Sequence, residues 1–143
     1  MGWLAQLQMQ VRAWRRTPSL GQRGEAAAER YLRRLGYTIV ARGQRERLGE
    51  LDLIAVDGRT VVFVEVKTRR SHDAGHPVEA VGAEKQCRLT RLALAYLKRH
   101  DLLEHASRFD VVAVTWSEDR SAKPLIEHFK NAFDAVGHGQ MFS

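Results

Sequence analysis

A single cysteine, Cys87, excludes an intramolecular disulfide and fits a reducing compartment. Long apolar runs are missing as well. Runs such as Val61 to Val64 are far too short to cross a bilayer as a helix. No apolar stretch ends in a small-residue cleavage site, so a cytoplasmic location is expected. The histidines do not stand at zinc-ligand spacing with the cysteine, and no His-linked nucleophile pattern surrounds Cys87. A disulfide-stapled module, a helical membrane protein, a zinc centre and a thiol hydrolase are therefore not what these residues describe.

What is present is a chain of 143 residues, 44% hydrophobic and 28% charged, enough for one domain with a real core. Lys and Arg total 23 against 17 acids, a net charge of +6. A basic surface favours a polyanionic partner, nucleic acid or an anionic membrane, although the same charge also serves plain solubility.

Residues 1–20 read as a basic amphipathic extension. Trp3, Leu4, Leu7, Val11 and Trp14 recur at helical spacing, Arg12, Arg15 and Arg16 crowd the end, and Thr17-Pro18-Ser19 breaks the pattern. Such a stripe can dock on its own domain, meet a second copy of the chain, touch a membrane surface or act as a transit peptide. Docking on the domain or fraying in solution is the favoured reading, and membrane association is the weakest.

Residues 21–143 form the domain proper. Gln22 to Leu35 is rich in good helix formers, with Gly36 as a stop. Tyr37 to Ala41, Leu51 to Val56 and Val61 to Val66 read as strands, the last two flanking an Asp57-Gly58 hairpin signal. A polar loop, Arg69 to Pro77, precedes a helix from about Ala83 to His100. Phe109 to Trp116 is a further strand, and the spacing of Ile126, Phe129 and Phe133 suggests a short closing helix. Short links make the first three strands an antiparallel meander. The long helix is of crossover length, so the third and fourth strands can run parallel. The fold class is α/β: a mixed sheet of about four strands flanked by helices, in the order α-β-β-β-α-β.

Charges interrupt these strands where buried positions should be apolar. Glu65 and Lys67 share a face of their strand, roughly 7 Å apart. Across the hairpin, a two-residue loop at Asp57-Gly58 sets Asp52 opposite Phe63, and a four-residue loop sets it opposite Glu65. Both put it on the face of Glu65 and Lys67, whereas an unbulged three-residue loop does not. Two close carboxylates repel unless a proton or a cation joins them. Hard, oxygen-seeking Mg2+ or Mn2+ suits such a pair, and can activate water and neutralise charge at phosphorus. Lys67 would orient the water or stabilise the transition state. Glu25, the first acid of the first helix, completes the site if that helix packs across the sheet edge. The plainer alternative is an exposed cross-strand ion pair, which is the better reading of any one residue but not of the set.

The segment Gly49-Glu50-Leu51-Asp52-Leu53-Ile54-Ala55, followed by Phe63-Val64-Glu65-Val66-Lys67-Thr68-Arg69, resembles the PD-(D/E)xK nuclease signature, with Leu51 at the loose proline position. More narrowly, the chain resembles the YraN-type family of bacterial predicted endonucleases, themselves distantly similar to archaeal Holliday-junction resolvases. The likeness spans about residues 21–116 and takes in Gly24-Glu25, Tyr31-Leu32, Gly36-Tyr37 and Arg108 to Val112. It implies a restriction-endonuclease-like fold, with Asp52 and Glu65 as Mg2+ or Mn2+ ligands and the Val66 carbonyl as a third oxygen. It also implies Lys67 as catalytic lysine and Glu25 as the helix-borne acid. The expected activity is metal-dependent endonucleolytic hydrolysis of DNA, structured or branched DNA included. A resolvase-like task would call for a homodimer. The alternative is a nucleic-acid-binding or scaffold protein that keeps the fold without catalysis.

Phosphate-gripping candidates are Arg42, Arg45 and Arg47 before the Asp52 strand, and Arg69, Arg70 and His72 after Lys67. Lys85, Arg88, Arg91 and Lys98 follow on the polar face of the second helix and read first as solvated charges. Asp110 reads as a structural acceptor.

Overall fold

The computed structural model describes residues 19–71, 81–119 and 121–136. The amphipathic stripe up to residue 18, and His72, lie outside the described residues. The chain runs through α1 (Leu20–Arg34), β1 (Thr38–Glu46), β2 (Gly49–Asp57), β3 (Thr60–Arg70), α2 (Ala83–Arg99), β4 (Ser107–Trp116) and β5 (Leu125–Phe133). The strands form one sheet in the order β1-β2-β3-β4-β5. Only β3 and β4 are parallel, joined through α2; the other neighbours are antiparallel. This is the expected mixed α/β architecture, consistent with a restriction-endonuclease-like fold.

Several local readings change: β1 continues to Glu46, past Arg42 and Arg45, and β3 continues through Arg70, into the stretch read as a polar loop. The first helix begins at Leu20 rather than Gln22, because Ser19 and Gln22 form a reciprocal capping box: Ser19 N–H donates to Gln22 Oε1 (2.9 Å) and Gln22 N–H to Ser19 Oγ (3.2 Å). Its other end closes as a Schellman motif, Gly36 N–H bonding Arg33 and Tyr37 N–H bonding Leu32.

The closing segment is a strand, β5, not a helix. Ile126 packs on one side of the sheet, Phe129 and Phe133 on the other. The apparently helical spacing is therefore two strand faces read together. An irregularity assists the illusion: Phe109 pairs with Phe133 but Val111 with Phe129, leaving two extra residues on β5 around Asn131, whose φ is 52°. Asp110 pins this detour, accepting the Asn131 N–H at 2.9 Å beside His128 Nε2 at 2.8 Å and Arg108 Nε at 3.0 Å.

The sheet carries a core on each face. Against one side α1 lays Ala27, Ala28 and Leu32 over Leu53, Val62, Val64 and Val112. Against the other α2 lays Leu89, Leu92, Ala93 and Tyr96 over Ile54, Val56, Phe63 and Phe109. Where α1 crosses β3 the approach is very close: a Cβ at Gly24 would lie 1.8 Å from Thr68 Oγ1. That contact sets Glu25, the next residue, over the end of β3. Gly24→Ala should therefore destabilise the fold by about 1–3 kcal/mol through overpacking, although alanine is intrinsically the better helix former by about 1 kcal/mol. Urea unfolding checks this; equal or higher stability would show that α1 need not sit so close.

Candidate metal centre

The centre begins with a strand that leaves its neighbour. Across the two-residue turn Gly58-Arg59, Asp57 pairs with Thr60, and Gly58 takes φ 62°, as the first corner of a primed hairpin turn demands. The ladder then runs Val56↔Val61 to Leu53↔Val64 and stops. One more step of that register sets Asp52 across from Glu65, the second of the two arrangements the sequence allowed. Beyond this point β2 stays paired with β1 as far as Glu46↔Gly49, while β3 stays with β4 as far as Arg70↔Trp116. The sheet is forked.

Asp52 sits at the crotch of the fork, its Oδ2 accepting the Val66 N–H at 2.9 Å. Along β2 it shares alternation with Ile54 and Val56; along β3, Glu65 and Lys67 share it with Val61 and Phe63. All four of those apolar residues belong to the core under α2, but so does Leu51 beside Asp52, so the alternation of β2 breaks at the fork; what unites the three charged groups is the cleft that they line. Between the prongs lies a cleft of about 610 Å³. Its walls are Leu48 to Glu50 and Asp52 from the β2 side, Glu65 to Thr68 from β3, Gly21 and Glu25 from α1, and Lys85, Arg88 and Leu89 from α2. Glu25, Asp52, Glu65, Val66 and Lys67 thus come together in one place.

The sequence reading missed Glu50. Carboxylate oxygens of Glu25, Glu50 and Asp52 all lie within 4.8 Å of one another, a spacing one cation can bridge. Glu65, buried, ion-pairs instead with Lys85 from α2. The signal for Glu50 was available, since it stands two residues from Asp52 on the same strand and hence on the same face. Val66 contributes its N–H to Asp52, and its backbone lines the cleft.

The electrostatics follow from crowding. Burial, with Glu50 and Glu65 nearby, raises the Glu25 carboxyl to about 7. Burial and then the Glu65 charge push Asp52 well above the ordinary carboxylate range, against the opposing Val66 hydrogen bond. These are groups short of positive charge.

The basic candidates divide. Arg42 is turned to the buried Glu29, with Nε 2.5 Å from Oε1, so it serves α1 packing rather than the cleft. Arg45 is exposed, 3.9 Å from Glu50. Arg47 is exposed at the turn beyond the cleft. Arg69 and Arg70 continue β3 beyond the cleft residues, opposite Thr115 and Trp116. Lys85 and Arg88, read as solvated charges, line the cleft.

Comparison with known proteins matches residues 24–114 to the family described as "Uncharacterised protein family UPF0102". The match runs from early α1 into β4 and contains every acid of the cleft. A UPF0102 protein of Rhodopirellula baltica is 43% identical over 96% of this chain and 89% of its own length. One from Geobacter sulfurreducens is 49% identical over 80% of this chain and 88% of its own. One from Chlorobium limicola is 46% identical over 80% and 92%.

A raised carboxyl pKa gives a definite sign. Between the ordinary value of 4.5 and about 7, Glu25 holds more proton in the folded than in the unfolded chain, so the ion-free protein loses stability as pH rises through that window. A cation competes with that proton. Mn2+ affinity should therefore rise with pH across this range, roughly tenfold per unit for each carboxyl proton that the ion displaces. Calorimetric titration from about pH 5 to about pH 8 measures this, and a pH-independent affinity would contradict the crowded-acid description. In the ion-free protein, Asp52→Asn should be more stable than wild type by about 1–2 kcal/mol, roughly 4–8 °C in Tm.

Proposed function

The chain belongs to the UPF0102 family, and from that footing we propose that it is a divalent-cation-dependent nuclease that hydrolyses phosphodiester bonds of DNA. The observation that carries this reading is the fork: three carboxylates within 4.8 Å of one another, beside Lys67, in a cleft rimmed with basic side chains.

The donor set suits a hard cation. Glu25, Glu50 and Asp52 offer only oxygen, which favours Mg2+ or Mn2+ over softer ions. Lys85 on Glu65 already acts as a stand-in positive charge, and exchanging it for the ion would free Glu65 as a further ligand, with the Val66 carbonyl close by. When bound, such an ion supplies Lewis acidity and a water of lowered pKa. The chain's own groups do the rest. Lys67, half-buried in the cleft, directs an attacking water and balances negative charge growing on the phosphate oxygens. Lys85 and Arg88 on α2 hold the substrate backbone against the acids.

A protein that binds nucleic acid without cutting it is the second reading. The Lys85–Glu65 pair favours it, because Glu65 is already satisfied without an ion. Among the described residues no helix is long and apolar enough to cross a membrane, and we read the site of action as cytoplasmic. Cutting two strands of a branch would take two such clefts, and hence a homodimer.

Titration with Mn2+ and a cleavage assay separate the readings. Wild type should bind the ion, and Asp52→Ala should weaken binding at least tenfold while circular dichroism stays unchanged. Lys67→Ala should keep the ion but cut branched, single-stranded or duplex DNA about 100-fold more slowly. Equal cleavage by wild type and Lys67→Ala would overturn the nuclease assignment. Ion binding with no cleavage of any DNA would favour the second reading.

A further inference from the structure

The acidic cleft opens into a second depression. Leu48, in the turn between β1 and β2, lines both the cleft and a neighbouring trough of about 360 Å³. The trough runs over Leu92 and Ala95 of α2 and is walled by Arg47 and Arg91. Arg88 lines the cleft one helical turn before Leu92, so residues 88, 91, 92 and 95 form a stripe leading from one depression to the other. The Arg99–Glu46 ion pair, at 2.8 Å, lies at the trough too. Among the described residues, Arg47, Arg88 and Arg91 pair with no acid.

This combination narrows the occupant. Unpaired guanidinium groups beside an acidic centre select a polyanion. An apolar floor, with Leu48 54% exposed on the rim, selects one that also carries bare apolar faces. An unpaired nucleobase has such faces; in continuous duplex they are stacked away, and freeing one costs a few kcal/mol. We propose that the trough receives an unpaired nucleotide adjacent to the phosphate held in the cleft, with Leu48 against the base and Arg47 and Arg91 on the flanking phosphates. The site then selects strand ends, gaps and branches over uninterrupted duplex. The inference rests on the nuclease reading for what the acids do next, but not for the binding itself.

The test is equilibrium binding of the full chain, by fluorescence anisotropy in EDTA, to a duplex with a single-stranded overhang and to the same duplex made blunt. The overhang should bind at least tenfold more tightly. Leu48→Ser should bring that ratio toward one, with folding checked by circular dichroism. 2-Aminopurine at the first unpaired position should change in emission with wild type and not with Leu48→Ser. The double variant Arg47→Glu, Arg91→Glu should weaken both complexes and lower the salt dependence. Equal binding of the two DNAs, or a Leu48→Ser protein that discriminates like wild type, would overturn the proposal; a trough made for a protein segment would give that result. Discrimination without cleavage in Mn2+ would uphold the trough and fault the nuclease reading. Cleavage without discrimination would do the reverse.

Discussion

The 2.9 Å hydrogen bond from the Val66 N–H to the Asp52 carboxylate is the contact around which the rest is arranged. Where the β2–β3 ladder would have its next rung, a side-chain oxygen takes the place of a backbone carbonyl, and the two strands part. Parting would be costly if it orphaned a row of backbone groups. The loss is halved, because β2 keeps β1 as a partner and β3 keeps β4, and only the groups facing the cleft go without a strand partner. The sheet can open a cleft in its middle while both prongs remain hydrogen-bonded on their outer sides. An interior cleft of this kind gathers side chains from two strands and both helices, which no sheet edge would do.

What the fork gathers works against folding. Of the three carboxylates within 4.8 Å, Glu25 and Asp52 have raised pKa values, because burial disfavours their charge and neighbouring acids add to it. Lys85 relieves Glu65 alone. A sequence selected only for stability would place an amide or an apolar group at Asp52. A local conflict retained in a cleft of a well-packed domain is expected where binding, rather than folding, sets the residue. The Gly24–Thr68 approach belongs to the same logic: α1 gives up a side chain at Gly24 so that Glu25 reaches the acids.

Much of this was legible from residue order. Period-two alternation put Glu65 and Lys67 on one face, an even hairpin loop was needed to add Asp52, and a helix of crossover length allowed β3 and β4 to run parallel. Glu50 was legible by the same alternation, but its signal is weaker, since it precedes an apolar run and does not interrupt one. Arg42 was not legible as a structural residue. Its partner Glu29 lies thirteen positions away on the first helix, and only tertiary packing reveals that the pair is made. The closing strand failed for another reason. Its apolar residues serve two cores and are thrown out of step by the bulge at Asn131, a position visible only once β4 is beside it.

The strand beside the fork provides the control that the cleft needs, for Asp110 of β4 pairs with Val64, next to Glu65. There too a carboxylate is fully buried, at Asp110, with Asp57 not far away. Burial opposes its charge, yet His128, the Asn131 N–H and Arg108 together hold its carboxyl below the ordinary range. Arg108 in turn reaches Asp57 at 3.0 Å and the Tyr37 hydroxyl at 2.7 Å. That network is closed: the buried acid has its donors and its counter-charge within the chain, and it ties β5 to β4. Asp52 has one backbone donor and an acidic neighbour. Both clusters bury an acid, Glu65 in one and Asp110 in the other, so burial alone does not mark the candidate site. The two acids differ in what balances them: Asp110 has Arg108 and His128 within hydrogen-bond reach, whereas Asp52 has the Val66 N–H and, beside it, the Glu65 carboxylate.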